Sequence, residues 1–329
     1  MAILAESATQ PAVLAARDDP VQWNLAETAL KHSRAVLKET VKAAASDPDT
    51  QMAESLHSTA YAGNTLGLPL ASQEHMVDSL SLSAYMNFVL ANTSPDRLVV
   101  SGVNVNHEEF VELADKCLGE LAPGPAAAAR PSMYTGGEAR MSATGPANVA
   151  LAFNGVSWDD PDLVPTAVLH SLLGGGGSFS SGGPGKGMYT RLYTNILTQE
   201  PWVINAQAFN HVYTDGGLFG ISASADPDRL GDLAKLVGEH AAAMTMRLSD
   251  EEVMRAKNQT ISGLAMNLES RTVLCEDMGR QLGGNGKYVD SATLISKIEK
   301  VDKDDLLMVS KKMLGTAPTL ILRGEMFDT

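Results

Sequence analysis

Glycine dominates the middle of this chain, in the stretch LLGGGGSFSSGGPGKGMYTRL at residues 172–192. Glycine loses more conformational freedom on folding than any other residue, so a glycine-rich segment is costly to hold in one place. Loops longer than about 12–15 residues inside a compact domain are usually functional or disordered. Unshielded backbone N–H and C=O groups can also pair with an extended peptide. The stretch therefore predicts a lid or a peptide-contacting loop, with a plain connector as the alternative.

Phosphate binding is the first function that such a stretch suggests, and its spacing argues against it. A P-loop needs Gly, four residues, and then Gly-Lys followed by Ser or Thr. Here Gly187 follows Lys186, and Ser180 occupies the position five residues before Gly185. A dinucleotide-binding turn follows a strand, whereas residues 162–173 have the pattern of a helix. A nucleotide-binding protein is therefore the weakest of the alternatives.

The charge of the whole chain narrows the range of partners. The formal net charge is −14 at pH 7, with 44% hydrophobic and 19% charged residues, which is typical of a globular protein. An acidic surface repels nucleic acid and suits basic partners. The sequence has no apolar run of about 18 residues that would predict a membrane span. Two cysteines, Cys117 and Cys275, indicate neither a disulfide framework nor a cysteine metal site.

Recognisable catalytic motifs are missing from the sequence. None of the seven histidines forms an i, i+4 pair around a Glu, which a helix-borne zinc site for hydrolysis requires. No Gly-x-Ser-x-Gly nucleophile elbow lies between a predicted strand and a predicted helix. The sequence therefore predicts no self-sufficient catalytic set.

Three acidic residues on the later helices are candidates for binding. Glu252 lies three residues after Ser249, which is the spacing of a capping box, so a structural role competes with a binding role. Glu276 and Asp277 lie in the middle of a predicted helix, where capping cannot explain them. Local ion pairs or a solvated helix face are the alternatives there to a site for a basic ligand.

Hydrophobic periodicity predicts helices and strands on both sides of a linker. The linker lies in APGPAAAARPS, at residues 122–132, where proline and small residues replace any periodicity. Before it, the pattern predicts helices at 20–45, 51–62, 76–91 and 108–121 and a strand at 97–105. After it, the pattern predicts strands at 147–154, 203–209, 217–224 and 319–324 and helices at 162–173, 227–247, 250–266, 270–282 and 303–314.

A weak internal repeat connects the two halves. VDSLSLSAYMNFVLANTSPDRLVVSG (77–102) and IEKVDKDDLLMVSKKMLGTAPTLILRG (298–324) share one plan of helix, short link, proline, apolar strand and glycine. Repetition of a whole unit implies two related α/β domains. The second copy ends about 190 residues after the linker and the first about 100 residues into the chain, so we expect roughly 90 residues of the first domain to be absent.

Several motifs together resemble one protein family. GGGGSFSSGGPGKGMYTRLYTNIL (174–197), MNLESR (266–271) and CEDMGRQL (275–282) closely resemble the α subunits of mitochondrial processing peptidase and their relatives, the second core proteins of respiratory complex III. LHSTAYAGNTLGLPL (56–70) and DRLVVSGVNVNHEEFVELA (96–114) resemble the first domain of those subunits. All belong to the pitrilysin-like metallopeptidases, and the resemblance covers nearly the whole chain in order.

The resemblance implies an α+β fold with two related pitrilysin-like domains, in which helices pack on a mixed, mainly antiparallel sheet. It implies that the first domain is incomplete. The expected domains are the second half of the N-terminal peptidase-like domain at 1–122, a linker at 123–133, and the C-terminal peptidase-like domain at 134–329 with the glycine-rich loop at 174–187. The missing half is explained by an incomplete sequence or by a separate polypeptide that completes the domain.

The resemblance also implies a division of labour between subunits. In the family, a β subunit binds zinc through a His-x-x-Glu-His helix, and the α subunit lacks that site and helps to recognise the substrate. We therefore expect no catalytic residue, metal or cofactor in this chain, and zinc in the β subunit. The expected substrates are basic presequence peptides, and the expected location is the matrix side of the mitochondrial inner membrane.

The expected presequence-binding residues follow from the motif match. In the family the glycine-rich loop faces the chamber between the subunits, and acidic residues of the α subunit receive the arginines of the presequence. Transferred to this sequence, the expected substrate-binding residues are Gly174, Gly175, Gly176, Gly177, Ser178, Phe179, Ser180, Gly182, Gly183, Pro184, Gly185, Lys186, Gly187, Glu252, Glu276 and Asp277.

Two functions from different classes stay open. One is the non-catalytic, substrate-recognising α subunit of an active processing peptidase, integrated in complex III. The other is a purely structural core subunit of the cytochrome bc complex without processing activity. The complete glycine-rich loop favours the first. The expected partners are the β subunit or core protein 1, other complex III subunits, presequence peptides and the separate polypeptide just described, with no nucleic acid.

Overall fold

Two compact units make up the chain in the computed structural model, and neither is continuous in sequence. The structure describes residues 1–9, 16–70, 73–121, 124, 130–177 and 188–325. The first unit comprises residues 1–51, 70–130 and 271–286, and the second comprises residues 52–69, 131–270 and 287–329. The division into domains at a linker 123–133 stays a prediction, and most of that linker lies outside the described residues.

The helices and strands of the described residues have the following bounds. The helices are α1 (Ala2–Thr9), α2 (Pro20–Ser46), α3 (Pro48–Ala60), α4 (Glu74–Ser79), α5 (Leu82–Asn92), α6 (His107–Leu118), α7 (Leu163–Leu173), α8 (Leu230–Ala242), α9 (Asp250–Leu268), α10 (Arg271–Asn285), α11 (Ser291–Lys300) and α12 (Lys303–Leu314). The strands are β1 (Gly137–Ser142), β2 (Ala147–Asn154), β3 (Gly175–Gly177), β4 (Val203–Val212), β5 (Gly217–Ala225) and β6 (Thr319–Gly324). No helix among the described residues is long and apolar enough to cross a membrane.

The second unit contains a six-stranded sheet in the order β1-β6-β2-β5-β4-β3. β1 runs parallel to β6, and every other neighbouring pair in this order is antiparallel. The sheet is therefore mixed and mainly antiparallel, and the α+β fold class is confirmed.

The two faces of this sheet bury different clusters, because successive side chains of a strand point to opposite sides. Phe219 and Ile221 of β5 belong to the large core, which contains Leu169 of α7 and Leu306 of α12. Leu218, the residue directly before Phe219, belongs to a smaller cluster on the other face. That cluster also contains Leu56, Ala60 and Tyr61, from the end of α3 and the turn after it.

The described part of the first unit contains helices and loops but no strand, and the predicted strand 97–105 is wrong. Pro95–Arg97 forms a 3-10 turn, and the residues from Leu98 to α6 join no sheet. A strand is completed by hydrogen bonds to a neighbouring strand. All strands of the described residues belong to the sheet of the second unit. The β-branched residues of 97–105 therefore have no neighbouring strand to pair with among the described residues of this unit.

Most other predicted elements are confirmed with small shifts of their ends. The predicted helix 76–91 is divided into α4 and α5, because the Ser81 side chain accepts a hydrogen bond from the Ala84 N–H and starts a new helix. The predicted helix 227–247 is α8 with 3-10 turns before and after it. The pattern missed β1, whose exposed edge position gives it little apolar character, and also β3 and α11.

Phe219 provides a test of the core. Its side chain is fully buried, so Phe219→Ala should destabilise the fold by about 3–5 kcal/mol through lost burial and the cavity left behind. Phe88 on α5 is 66% exposed and is the matched control, for which Phe88→Ala should change stability by about 0.5 kcal/mol or less. Urea or thermal unfolding measures both. Equal losses at the two positions would contradict this placement of Phe219.

Candidate functional site

The glycine segment, residues 174–187, begins where α7 ends. Gly174 has φ 53° and ψ −124°, and its N–H donates to the His170 carbonyl at 2.8 Å. Its carbonyl accepts a hydrogen bond from the Ala208 N–H of β4, also at 2.8 Å. A Cβ atom at position 174 would lie 2.4 Å from the Thr190 side chain. Both the backbone angle and the space therefore require glycine at this helix end.

The next three glycines form β3 at the edge of the sheet. Gly175 pairs with Gln207 and Gly177 with Asn205, antiparallel to β4. At Gly175, φ is 104°, and a Cβ atom would lie 2.0 Å from the Ala206 carbonyl oxygen. That distance is far inside van der Waals contact, so a side chain at 175 would separate the two strands. β3 is the last strand in the sheet order, so the other side of β3 has no strand partner among the described residues.

The first described residues after the segment, from Met188 on, belong to the second unit. Thr190 is buried, and its Oγ1 accepts a hydrogen bond from the Gly175 N–H at 3.1 Å. Leu192 and Ile196 are fully buried, the latter in a π-helical turn, whereas Met188 and Tyr189 are 46% and 76% exposed. The predicted binding residues Ser178, Phe179, Ser180, Gly182, Gly183, Pro184, Gly185, Lys186 and Gly187 lie outside the described residues.

Arg191 connects the residues after the glycine segment to α9 through an ion pair with Glu252. The Arg191 Nε donates to Glu252 Oε1 at 2.9 Å, and the two side chains are 15% and 24% exposed. The guanidinium also donates to the carbonyls of Ala243 and Arg247, at 3.2 and 3.1 Å. The predicted capping box is present, since the Glu252 carboxylate accepts from the Ser249 N–H and the Ser249 hydroxyl accepts from the Glu252 N–H. Glu252 thus joins the start of α9 to Arg191, which follows the glycine segment in sequence.

The pKa of Glu252 reflects these contacts. Burial by itself would raise that pKa, but hydrogen bonds from Arg191 and Ser249 and the charge of Arg191 lower it from 4.5 to about 2. A carboxyl whose pKa is lower in the folded state stabilises the fold above its ordinary pKa. That stabilisation is lost as the pH falls from about 4.5 to about 2.

Glu276 and Asp277 lie side by side on α10, in the first unit. The Asp277 carboxylate is 15% exposed and accepts hydrogen bonds from Arg280 at 2.5 Å and from Gln281 at 2.7 Å. One of the local ion pairs considered for this helix is therefore present, between Asp277 and Arg280. Glu276 is exposed, and the described residues offer it no ion-pair partner. Of the three predicted carboxylates, Glu276 is the one that is open to a new cation.

The predicted site residues thus divide between the two units. The structure brings Gly174–Gly177 together with β4, and it places Glu252 beside the residue that follows the segment, all in the second unit. The sequence analysis did not identify Thr190 and Arg191 as positioning residues, because their partners are distant in sequence. The only signal for them in the sequence is their position directly after the glycines. In the residues that the structure describes, no group of three His, Cys, Asp or Glu side chains could hold a metal ion.

Comparison with known proteins identifies similar sequences. A family described as "Peptidase M16 inactive domain" matches residues 79–260, which is more than half of the chain. The chain is 36% identical to the mitochondrial-processing peptidase subunit alpha of Caenorhabditis elegans, covering 82% of this chain and 57% of the relative. It is 37% identical to the probable subunit alpha of Schizosaccharomyces pombe, covering 84% and 60%, and 35% identical to the human subunit alpha, covering 86% and 57%. The resemblance predicted from the motifs is confirmed, and the chain spans about three fifths of these relatives.

A solved structure shares the fold. A chain of "Complex III2 from Candida albicans, Inz-5 bound" superposes with a TM-score of 0.81, covering 97% of this chain and 76% of that one. The sequence identity between the two is 18%, so the likeness concerns the fold alone.

Removing the Glu252 charge tests its positioning role. Glu252→Gln should destabilise the fold by about 2 kcal/mol at pH 7, because Arg191 loses its charged acceptor. The difference from the wild type should shrink as the pH falls from 4.5 towards 2, where the native carboxylate is itself protonated. Thermal unfolding across this pH range measures the effect. Glu251→Gln, an exposed position in the same helical turn, should change little, and equal effects would contradict the Arg191 contact.

Proposed function

The chain belongs to the peptidase M16 family, and from that membership we propose that it is a non-catalytic, substrate-recognising subunit of the mitochondrial processing peptidase type. In this proposal it binds basic presequences, and a zinc-bearing β subunit cleaves them. The observation that carries the proposal is the mounting of the glycine segment on the free edge of the sheet, with both ends of the segment held by hydrogen bonds.

The sheet edge at β3 suits a peptide of variable sequence. An extended peptide that adds to a strand is held by main-chain hydrogen bonds, which do not depend on its side chains. The glycines of β3 present no Cβ atoms, so the backbone of a bound peptide can approach closely. Such a surface holds many different presequences in one extended conformation, and we assign the same binding role to residues 178–187.

Carboxylates supply the preference for basic peptides. A guanidinium forms charge-assisted, often bidentate hydrogen bonds with a carboxylate. Glu276 is exposed and can form such a bond directly. Asp277 would first have to release Arg280, and Glu252 would first have to release Arg191. We therefore propose that Glu276 is the first of the three to bind a presequence arginine. Asp277 and Glu252 would bind one only after each has released its present partner. The net charge of −14 would steer basic peptides towards the chain over a longer range.

The contribution of this chain to catalysis would be positioning. The zinc ion of the β subunit would supply a polarised water molecule that attacks the scissile carbonyl. Holding the substrate extended before that attack removes part of the entropic barrier to the reaction. Residues of this chain would orient the peptide and exclude other registers, and none would break a bond.

A purely structural role is the second candidate. The likeness to a chain of Candida albicans complex III favours it, since it concerns the same fold over nearly the whole chain. Both candidates place the protein in mitochondria, on the matrix side of the inner membrane, with the β subunit or core protein 1 and other complex III subunits as partners. The two candidates differ in whether the purified assembly cleaves presequences.

Side chains on the glycine segment should disturb the processing reaction. In the purified assembly, changing Gly182, Gly183, Gly185 and Gly187 to Ala should lower kcat/KM for a presequence substrate by about tenfold or more, which is about 1.4 kcal/mol. The same change at Gly231, Gly238 and Gly263, helical positions where an added Cβ atom meets nothing within 4 Å, is the matched control and should change cleavage little. Size-exclusion chromatography checks that each assembly is intact. Cleavage at the wild-type rate by the alanine variant would contradict the proposal. A wild-type assembly that does not cleave the presequence would support the structural alternative.

The charge of Glu276 should affect binding more than turnover. Glu276→Gln should raise KM for an arginine-containing presequence by about two- to fivefold, as expected for an exposed ion pair, and leave kcat nearly unchanged. High salt should remove the difference. Glu299→Gln, exposed on α11, is the control. The effect should also vanish with a substrate whose arginine is replaced by citrulline, and its persistence there would rule out this contact.

A further inference from the structure

Three ring side chains meet at the end of β4, beyond the part of that strand that pairs with β3. His57 comes from α3, His211 lies near the end of β4, and Tyr213 follows two residues later, so the last two face the same side of the strand. The ring centroids of His57 and His211 are 5.5 Å apart, and those of His57 and Tyr213 are 5.8 Å apart. All three residues belong to the second unit. The fold therefore brings two imidazoles and a phenol together from positions that are 156 residues apart in sequence.

Hydrogen bonds fix the position of the proton on His57. Its Nδ1 lies 2.8 Å from the Ala53 carbonyl oxygen, which can only accept, so Nδ1 carries the hydrogen. The lone pair is then on Nε2, which accepts a hydrogen bond from the Tyr213 hydroxyl at 2.6 Å. In metal sites, a ligating histidine donates its other ring N–H to a carbonyl or carboxylate in the same way. The contacts of His57 therefore orient Nε2 as a ligand atom.

His211 is accessible to solvent, and its ring is held in place by Phe209. The two ring centroids are 5.1 Å apart, which is contact distance for stacked rings. Partial burial of the imidazole lowers the pKa of His211, and the nearby His57 and His170 lower it further. The imidazole is therefore neutral at pH 7, so one of its ring nitrogens carries a lone pair that can bind a cation.

The spacing of the two imidazoles is close to that of two ligands on one zinc ion. Zinc–nitrogen bonds of about 2.0–2.1 Å in tetrahedral geometry put two imidazole centroids about 5 Å apart. The observed distance between the His57 and His211 centroids is 5.5 Å. In the same geometry, His57 Nε2 and the Tyr213 oxygen would be about 3.3 Å apart, so their 2.6 Å contact would widen by about 0.7 Å. A small side-chain rotation of Tyr213 supplies that change.

The backbone that carries these side chains is well fixed, as a metal site requires. β4 pairs with β5 along its length, which holds His211 in the sheet. The Tyr213 carbonyl accepts a hydrogen bond from the Trp158 N–H at 3.0 Å. On α3, the turn that contains His57 also contains Ala60, which is fully buried against the sheet. The three ligand-bearing positions are therefore held by packing and hydrogen bonds that do not involve their own rings.

We propose that His57 Nε2, a ring nitrogen of His211 and the Tyr213 oxygen bind a divalent transition-metal ion of the zinc type, with water as the fourth ligand. Imidazole nitrogen is a ligand that zinc and copper(II) favour. The phenol proton leaves to solvent, so Tyr213 binds as the phenolate. Among the described residues no third His, Cys, Asp or Glu joins the two histidines, so the phenol completes the set. The bound ion links α3 to β4, and the site is additional to the family resemblance, which implies no metal in this chain.

Copper(II) binding to the purified assembly tests the site, because copper(II) prefers the same ligands, binds more tightly than zinc and is paramagnetic. His57→Ala and His211→Gln should each weaken the binding of one Cu²⁺ per chain by about tenfold or more. His75→Ala, at an exposed position on α4, is the matched control and should bind as the wild type does. Any other metal site of the assembly is the same in all variants, so the difference reports this cluster. Equal affinity in the wild type and the His211→Gln variant overturns the proposal, as does an equal loss in His75→Ala.

Spectroscopy of the copper-loaded assembly tests the third ligand. The wild type should show electron paramagnetic coupling to two imidazole nitrogens and a phenolate-to-copper charge-transfer band. Tyr213→Phe should keep the nitrogen coupling and lose the band, and the same band in both proteins overturns the three-ligand set. Unfolding temperatures without metal check that each variant is folded. Zn²⁺ should then raise the unfolding temperature of the wild type and leave that of His211→Gln unchanged, and an equal rise in both contradicts the site. None of these measurements depends on presequence cleavage.

Discussion

The approach of Gly175 to the β4 backbone is the constraint on which the candidate site depends. A Cβ atom there would lie 2.0 Å from the Ala206 carbonyl oxygen, so β3 can pair with β4 only if position 175 is glycine. That pairing puts the start of the glycine segment at the edge of the sheet. The same pairing leaves one side of β3 without a strand neighbour in the described residues, which is the property that the proposed peptide binding uses.

The two ends of the segment are held by one small group of contacts. The hydrogen bond from the Gly175 N–H to the Thr190 hydroxyl joins residues that are fifteen positions apart, so the residues on the two sides of the segment lie next to each other. Arg191, which follows Thr190, forms an ion pair with Glu252, whose carboxylate also caps α9. A fixed base with a glycine-rich span is suited to holding peptides of different sequence.

Local sequence signals account for much of the fold but not for pairings over long distance. The capping box at Ser249 and the strands β2 and β6 were predictable, because each depends on neighbouring residues or on a short apolar run. The strand predicted at 97–105 failed because propensity cannot supply a neighbouring strand. β3 went unrecognised because glycine has low strand propensity and its pairing is decided by β4. Likewise, the Arg191 partner lies 61 residues away, so the place of Glu252 in the site became visible only in three dimensions.

Photo-cross-linking of a substrate tests the central claim most directly, namely that the glycine segment and its base form the presequence-binding surface. A presequence peptide with a photoreactive residue next to an arginine would be bound to the purified assembly, irradiated, and mapped by mass spectrometry. The account predicts cross-links within residues 174–191 of this chain, competed by unlabelled presequence and weakened by salt. Competed cross-links that fall elsewhere, on the partner subunit alone or on other faces of this chain, would contradict it.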